Sequence, residues 1–352
     1  MKIAFTADLH LTNRSQNPER FETLENLLAD LCSEGVEILA IAGDLFDSSL
    51  KNYSEFEQIC RDPKYQDLSI AVIPGNHDPT IDGKKFVANN LKIINEPWLH
   101  KLDGRTFLFL PYQEGKTMGE GIEPFRNQLP ADKWVLVAHG DWAGGLKNPN
   151  PTEPGVYMPL TRQDIEIYQP ARVFLGHIHI PWDSPPIYYV GSPCGLDITE
   201  TGRRRCLIYD TATNQVKPYT LNTPIIFLNE SFVVVPVPDE APYLCAQIKK
   251  RLDQWGLSAT ERAKTQLRVK VSGFSADKSG LRSVIEEAFA GFIFYEGKGP
   301  DLDSVSNSDD IDRQDIAEQV QVGVDLLDWP AGGDEPSTDE ILLKALHIIY
   351  GR

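Results

Sequence analysis

Five short polar blocks, each directly after an apolar strand-like segment, constrain this sequence more than any other feature. They read D-L-H, G-D, G-N-H-D, H-G and G-H-I-H, and they lie between residues 8 and 179. Ligand sites in open α/β sheets lie beyond the carboxyl ends of the strands. We therefore expect the blocks to converge on one crevice, although they are far apart along the chain.

Seven side chains of these blocks are candidate metal ligands: Asp8, His10, Asp44, Asn76, His139, His177 and His179. Carboxylate, amide and imidazole groups without a thiolate suit manganese, iron or zinc better than calcium or a soft metal. One such ion needs fewer ligands than this, whereas two ions that share a bridging carboxylate use them well. Two metals roughly 3.5–4 Å apart stabilise the attacking and leaving oxygens of a phosphoryl displacement. The blocks therefore predict hydrolysis of a phosphoester.

His77 is the histidine that the metal ions do not require. It follows Asn76 directly and should reach the same site, where a protonated imidazole can give a proton to the leaving alkoxide. Asp78 is predicted to hold the ring of His77 in one tautomer. The alternative for His77 is a structural hydrogen bond.

The first 225 residues alternate apolar runs with helical segments or loops, a pattern typical of a layered α/β domain. Strands are predicted at residues 2–7, 36–42, 68–73, 106–110, 134–138, 172–175, 187–190 and 206–209. A helix is predicted between Asn17 and Gly35, because Pro18 suits the first helical position. Thr201-Gly202 is predicted to form a hairpin turn between two strands.

The pattern changes near residue 226. Residues 226–298 predict a strand, a helix, a second strand and a second helix, and so a small second α/β domain. Residues 299–310 are rich in Asp and Ser and predict a flexible linker. Two amphipathic helices are predicted after it, with apolar faces formed by Ile316, Val320, Val324 and Leu327 and by Leu342, Ala345, Leu346 and Ile349. Such a face suits packing on the chain's own domain as well as docking on a partner.

Charge is distributed unevenly along the chain. Residues 299–352 contribute −10 to the net charge of −17, which does not favour strong non-specific binding to DNA. The basic run Arg203-Arg204-Arg205 follows the predicted turn, where it can contact phosphate or protect a solvated hairpin edge; we favour the hairpin edge.

No apolar segment reaches the length of a membrane span. The five scattered cysteines contain no C-x-x-C pair, which predicts reduced thiols and a cytoplasmic protein.

These blocks, in this order, resemble the calcineurin-like metallophosphoesterases. The resemblance implies an α/β fold, a four-layer β-sandwich flanked by helices, with a small α/β capping domain and a helical C-terminal tail. It also implies which residues bind each ion: Asp8, His10, Asp44 and His179 bind one metal, and Asp44, Asn76, His139 and His177 bind the other. Asp44 would then be the bridge between the two metals and His77 the general acid.

Finer features resemble the SbcD and Mre-family DNA repair nucleases. They are Asp8–Leu11, Gly43–Asp47, Gly176–His179, Gly191-Ser192-Pro193 and Thr199–Gly202. This resemblance implies a nuclease domain at residues 1–225, a capping domain at 226–298, and an acidic linker with partner-docking helices at 299–352. It implies a manganese-dependent 3'-5' exonuclease that acts in DNA repair or recombination. Endonuclease action is a second activity that the resemblance allows. The expected partners are DNA and an SMC-like coiled-coil ATPase of the SbcC type, with a homodimer as a further expectation.

Two other functions remain open at this stage. A phosphomonoesterase or cyclic-nucleotide phosphodiesterase of the same fold would carry the same blocks, but it would need neither a capping domain nor docking helices. A metal-free scaffold subunit on this fold should have lost ligands, and here every ligand position is filled.

Overall fold

The computed structural model describes residues 1–48, 52–144, 155–308, 310–329 and 335–351. The chain folds into two compact units. The first consists of Met1–Leu196 and Arg203–Ile225, and the second of Asp197–Gly202 and Ile226–Arg352. Within the described ranges, no helix is long and apolar enough to span a bilayer.

The strands of the first unit are β1 (Lys2–Thr6), β2 (Ile38–Ala42), β3 (Ser69–Ile73), β4 (Leu91–Ile93), β5 (Trp98–Leu102), β6 (Arg105–Leu110), β7 (Trp134–His139), β8 (Arg172–Gly176), β9 (Trp182–Ser184), β10 (Ile187–Tyr189), β11 (Arg205–Asp210) and β12 (Gln215–Thr220). Its helices are α1 (Pro18–Ser33), α2 (Tyr53–Cys60), α3 (Met118–Ile122) and α4 (Arg162–Tyr168). The strands form two six-stranded sheets with the orders β12-β11-β1-β2-β3-β4 and β5-β6-β7-β8-β10-β9. The central strands of each sheet are parallel, so their carboxyl ends share one edge.

The two sheets pack face to face, with helices on both outer faces. Side chains alternate along a strand, so Ile3 and Phe5 point between the sheets while Ala4 points outward toward α1. Phe5 stacks on Phe174 of the other sheet, with ring centroids 3.8 Å apart. Helices α3 and α4 cover the outer face of the second sheet. The predicted four-layer α/β fold is confirmed.

The second unit is built on a parallel sheet. Its strands are β13 (Ile226–Val234), β14 (Thr265–Ser275), β15 (Ile293–Phe294) and β16 (Asp301–Asn307). Its helices are α5 (Glu240–Trp255), α6 (Ala259–Ala263), α7 (Lys278–Ala288), α8 (Ile311–Asp325) and α9 (Thr338–Tyr350). β13 pairs with one edge of β14, and β15 and β16 pair with β14 as well. The predicted order of strand, helix, strand and helix between residues 226 and 298 is present, with α5 and α7 on one face of the sheet.

The C-terminal part of the chain differs from the prediction in two respects. Residues 301–307 form strand β16 and are not a flexible linker, because pairing with β14 stabilises a segment whose sequence offers only Leu302 and Val305 for burial. The two predicted helices are confirmed, but the apolar face predicted for α8 is only partly buried: Val320 and Val324 pack in the core, whereas Leu327 is 46% exposed. Ala317 is fully buried, whereas Ile316 is 52% exposed. Both helices pack on the sheet of their own unit, against Val233 and Phe274 among others.

The predicted hairpin at Thr201-Gly202 is wrong. The strands on either side, β10 and β11, belong to different sheets, so the segment between them connects the sheets and does not form a turn within one. The expectation of a solvated basic edge fails for the same reason. Arg204 is only 2% exposed, and Arg205 forms an ion pair with Asp183, with Nη1 and Oδ2 2.8 Å apart.

Candidate metal centre

The polar blocks follow the carboxyl ends of parallel strands in both sheets of the first unit. Asp8 and His10 follow β1, Asp44 follows β2, and Asn76 follows β3. In the second sheet, His139 ends β7, and His177 and His179 follow β8. The structure brings these seven side chains to one site, where five of them are almost completely buried: Asp8, His10, Asp44, His139 and His177.

The first group of predicted ligands contains Asp8, His10 and His179, and one ligand atom from each lies within 4.8 Å of the others. The Nε2 atoms of His10 and His179 are 3.1 Å apart. The Asp44 Oδ2 atom lies 3.7 Å from Nε2 of His10. Asp8 Oδ2 is buried and has no hydrogen-bond partner among the described residues. A buried carboxylate oxygen beside two converging imidazole nitrogens fits a cation.

The second group contains Asn76, His139 and His177. Asn76 Oδ1 lies 2.7 Å from His139 Nε2 and 3.1 Å from His177 Nδ1. The Nδ1 atom of His139 lies 2.8 Å from the carbonyl oxygen of Ala42. If Nδ1–H donates this hydrogen bond, Nε2 carries a lone pair that can bind a metal.

Asp44 belongs to both groups. Its Oδ2 atom lies 3.3 Å from His139 Nε2 and also near His10 Nε2. Its Oδ1 atom accepts a hydrogen bond from the backbone N–H of His77, at 2.8 Å. The same Oδ2 atom therefore faces both groups of ligands, so Asp44 would be placed to bridge two ions.

The donor set fits a pair of divalent cations, which when bound would act as Lewis acids and activate a water molecule. Asp8, His10 and His179 would hold one ion, Asn76, His139 and His177 the other, and Asp44 both. Nitrogen and oxygen donors with two carboxylates are typical ligands of manganese, iron or zinc.

The backbone at the site is strained. Asp8, His10, Asp44 and His177 have φ values of 56°, 46°, 50° and 90°, in the left-handed region that residues other than glycine rarely adopt. Each such residue costs on the order of 1–3 kcal/mol, and such strain is concentrated at functional sites. Hydrogen bonds between the loops oppose this cost: the Asp8 N–H donates to Gly43 O and the His10 N–H to Asp44 O, both at 3.0 Å. At Gly43 itself, φ is 95° and a Cβ atom would collide with the ring of His139.

Burial and the neighbouring charges shift the pKa values of the ligands in opposite directions. Burial raises the pKa of Asp8 to about 6 and lowers the pKa of His10 to about 3. Burial would also lower the pKa of His139, but Asp44 and Asp8 beside it raise that pKa to about 9. Burial acts to raise the pKa of Asp44, but His139 and His10 outweigh it and hold that pKa below its usual value. His10 is therefore neutral and ready to bind a cation, whereas a cation must displace a proton from His139.

His77 and Asp78 have different surroundings. The His77 ring lies edge-on to His10, with centroids 4.6 Å apart, so the predicted acid is beside the ligands. Asp78 is buried, and its two oxygens accept hydrogen bonds from the backbone N–H groups of Gly75 (2.8 Å) and Phe46 (3.1 Å). Asp78 therefore joins the loops after β2 and β3, and its predicted effect on the His77 ring stays a prediction.

Sequence reasoning missed residues that support the ligands. The guanidinium group of Arg204 donates to the carbonyl oxygen of His179 at 2.9 Å. The Asp141 Oδ1 atom lies 3.5 Å from His177 Nε2. A carboxylate two positions after His139 was the available signal for Asp141. The sequence offered none for Arg204, because its burial depends on how two sheets pack.

Comparison with known proteins identifies a family whose model matches more than half of the chain. The profile of the calcineurin-like phosphoesterases matches residues 1–194. Among solved structures, TT1561 of Thermus thermophilus is similar, with 11% identity over 62% of this chain and 98% of that chain and a TM-score of 0.43. A novel archaeal phosphodiesterase shows 14% identity over 63% and 100% of the two chains, with a TM-score of 0.35. The nuclease MPE of Pseudomonas putida shows 15% identity over 62% and 87%, with a TM-score of 0.29.

Proposed function

Because the chain belongs to the calcineurin-like phosphoesterase family and is therefore a hydrolase of phosphoester bonds, we propose that it is a metal-dependent DNA phosphodiesterase of the SbcD type. The observation that carries this proposal is the pair of ligand groups that share Asp44 Oδ2. Two cations held in this way suit the in-line displacement at a phosphoester, because they can stabilise both the attacking and the leaving oxygen. The substrate, the polarity of 3'-5' cleavage and the use of manganese are parts of the proposal.

The residues of this chain have separate tasks in the proposed reaction. Asp8, His10 and their partners hold the cations, and the buried surroundings strengthen each electrostatic contact. His77 lies beside His10 and donates a proton to the leaving oxygen of the DNA strand. The backbone N–H of His77 binds Asp44, which fixes the position of this residue relative to the bridging carboxylate.

Two features support DNA as the substrate. The segments Gly191-Ser192-Pro193 and Thr199–Gly202, together with the polar blocks, resemble the SbcD and Mre-family nucleases. The chain also has a second compact α/β unit, which an enzyme for a small phosphoester would not need. We assign this unit the part of the capping domain, and we place the protein in the cytoplasm in DNA repair or recombination.

The C-terminal helices support a partner for the proposed nuclease. Although α8 and α9 pack on their own sheet, apolar side chains in these helices and directly after α8 stay at the surface: Val322 is 50%, Leu326 80% and Ile348 76% exposed. We propose that these side chains dock on an SMC-like coiled-coil ATPase of the SbcC type. Replacement of Leu326 and Ile348 by serine should abolish co-purification with such a partner, whereas Val87→Ser, which changes a similarly exposed residue of the first unit, should not. Retained binding would contradict the docking proposal.

A nuclease assay tests the main proposal. End-labelled double-stranded, single-stranded and hairpin DNA would be incubated with the protein and either Mn²⁺ or Mg²⁺, next to bis-nitrophenyl phosphate and cyclic AMP. We expect manganese-dependent shortening of DNA from the 3' end. Hydrolysis of the small esters without cleavage of DNA would instead favour a small-substrate phosphoesterase. Less than one metal ion per purified chain would favour a metal-free scaffold.

A further inference from the structure

Asp141 lies next to the candidate metal centre without belonging to either group of ligands. It follows β7, two residues after His139, and is 7% exposed. Its backbone is held on both sides: the Asp141 N–H donates to Tyr157 O, and the Leu160 N–H donates to Asp141 O, both at 2.8 Å. Its Oδ2 atom accepts a hydrogen bond from the Tyr157 N–H at 2.7 Å. These three contacts fix the direction in which the carboxylate points.

The second carboxylate oxygen of Asp141 points at a predicted ligand. Oδ1 lies 3.5 Å from His177 Nε2, while Nδ1 of the same ring lies 3.1 Å from Asn76 Oδ1 in the second ligand group. The imidazole of His177 therefore lies between Asn76, a predicted ligand of the second metal, and a buried carboxylate. The Tyr157 ring contacts the face of this imidazole, with centroids 4.6 Å apart.

The two histidines of the second group are arranged alike, with a hydrogen bond of 2.8 Å from His139 to Ala42 and a longer contact of 3.5 Å between His177 and Asp141. His139 faces the metal position with Nε2 and the carbonyl oxygen of Ala42 with Nδ1. His177 faces the metal position with Nδ1 and Asp141 with Nε2. A histidine ligand ordinarily gives its second N–H to a carbonyl or carboxylate, which sets the tautomer and the direction of the ring.

We propose that Asp141 is a positioning residue, whose carboxylate accepts the Nε2–H of His177 and so keeps Nδ1 unprotonated and directed at the second metal position. This inference rests on the proposed metal-dependent function.

Asp141→Asn is a sharp test because the two carboxylate oxygens have different partners. If the amide oxygen keeps the hydrogen bond from Tyr157 N–H, the amide NH₂ group faces His177 Nε2. It can then donate only to a ring that carries its proton on Nδ1, and such a ring cannot bind a metal through Nδ1. The alternative amide orientation places NH₂ against the N–H of Tyr157. The asparagine variant therefore loses one of the two contacts in either orientation.

The experiment is calorimetric titration of the full-length, metal-free protein with Mn²⁺, together with ¹⁵N spectra of the histidine rings. For Asp141→Asn we expect one of the two binding sites to weaken by about 10–100-fold, the usual effect of removing such a support, and the other to be unchanged. The His177→Ala variant should lose the same site. The ring signals that are missing from its spectrum are those of His177. The ring signals of His177 should shift toward the Nδ1–H tautomer in Asp141→Asn, and Asp141→Glu should recover part of the affinity. Asp253→Asn, an equal change at a surface ion pair with Lys249, should behave as wild type.

The possible results separate the two proposals. If His177→Ala loses a site but Asp141→Asn binds both ions with wild-type affinity, the positioning role is overturned. Weaker binding with an unchanged His177 tautomer would also overturn it, because it would reflect a general structural effect. If His177→Ala keeps both sites, His177 is not a ligand and the positioning role of Asp141 is overturned, while the proposed metal-dependent function stands. If the wild-type protein binds no Mn²⁺, the proposed manganese-dependent function fails along with the role that rests on it.

Discussion

Two buried acidic side chains, one in each unit, differ in how completely their carboxylate oxygens are hydrogen-bonded. Asp8 in the first unit is completely buried, yet its Oδ2 atom has no hydrogen-bond partner in the described part of the chain. Glu240 in the second unit is also buried, but its oxygens accept hydrogen bonds from the Ser275 hydroxyl and the Ala276 N–H. A satisfied carboxylate stabilises a fold, whereas an incompletely satisfied one beside histidines indicates a site for a cation.

The backbone supports the same comparison. Asp8 has a φ of 56° and follows a strand among other strained residues, whereas Glu240 lies in the first turn of α5, where an acidic residue interacts well with the helix dipole. The first unit therefore accepts both strain and incomplete hydrogen bonding at one edge of its sheets. The second unit, in its described residues, offers no comparable cluster of acids and histidines.

The largest effect is expected at His77. Replacement by alanine should lower the rate of phosphodiester cleavage by about 10²–10⁴-fold, the range for loss of a general acid. Both metals should stay bound, because the contact with Asp44 uses the backbone N–H of residue 77, which the variant keeps. Rates on DNA and metal content measured on one preparation check this expectation.

Asp44→Ala is the matched control for His77→Ala. It removes the oxygen that faces both ligand groups, so metal content and activity should fall together. A His77→Ala protein that cleaves DNA at the wild-type rate would rule out the general-acid role.

A smaller effect, on metal affinity, is expected when the Asp8 Oδ2 atom is replaced by an amide nitrogen. Asp8→Asn keeps an oxygen for the His177 N–H, which donates to Asp8 Oδ1 at 2.9 Å. It removes one anionic ligand, so one Mn²⁺ site should weaken by more than the roughly 10–100-fold typical of a residue that only supports a ligand.

Asp8→Asn should weaken metal binding but should not destabilise the metal-free protein. Burial raises the pKa of Asp8 from 3.8 to about 6 in the folded state, so the protein loses stability as the pH rises from 3.8 to about 6 and carries the full penalty above that. At pH 7 the metal-free asparagine variant should therefore be at least as stable as wild type in urea unfolding with a chelator present. A clear loss of stability would mean that Asp8 is a structural residue like Glu240.

The pattern of blocks was sufficient to predict which side chains meet at one site, because each block directly follows a strand and the order of the strands determines where the blocks meet. Their role as metal ligands stays a prediction. The eight strands predicted in the first unit are confirmed, while the short or edge strands β4, β5, β9 and β12 were missed. Such strands have few buried residues, so their apolar pattern is weak.

The supporting contacts could not be predicted in the same way. Asp141 meets His177 only because β7 and β8 are neighbours in one sheet, and Arg204 is buried only because a connection passes from one sheet to the other. In α8 the large apolar residues suggested a face containing Ile316, but the sheet accepts the small Ala317 instead. Close packing selects for shape as well as for hydrophobicity.

Metal binding by the first unit should depend on pH, because one of its predicted ligands, His139, carries a proton in the metal-free protein. Without metal, the pKa of His139 is about 9, because Asp44 and Asp8 outweigh the opposing effect of burial. Below pH 9 a cation must displace this proton, so the apparent affinity for Mn²⁺ should rise by up to about tenfold per pH unit between roughly pH 6.5 and 8. Calorimetry in buffers of different ionisation enthalpy should detect the released proton. Equal affinity at the two ends of this pH range would contradict this account of His139.

The smallest functional effect is expected at Glu240. Glu240→Ala leaves the Ser275 hydroxyl and the Ala276 N–H without their acceptor, which should lower the free energy of unfolding by about 1–3 kcal/mol. Glu240→Gln should cost less, because its amide oxygen can accept one of these hydrogen bonds and the Ser275 hydroxyl can reverse and accept from the amide. Metal content and cleavage of bis-nitrophenyl phosphate should be unchanged in both variants, since Glu240 lies in the second unit. Urea unfolding and metal analysis of the two variants measure both quantities. Loss of metal from Glu240→Gln would show that a buried carboxylate with complete hydrogen bonding also supports metal binding. Incomplete hydrogen bonding, as at Asp8, would then not distinguish a metal ligand from a structural residue.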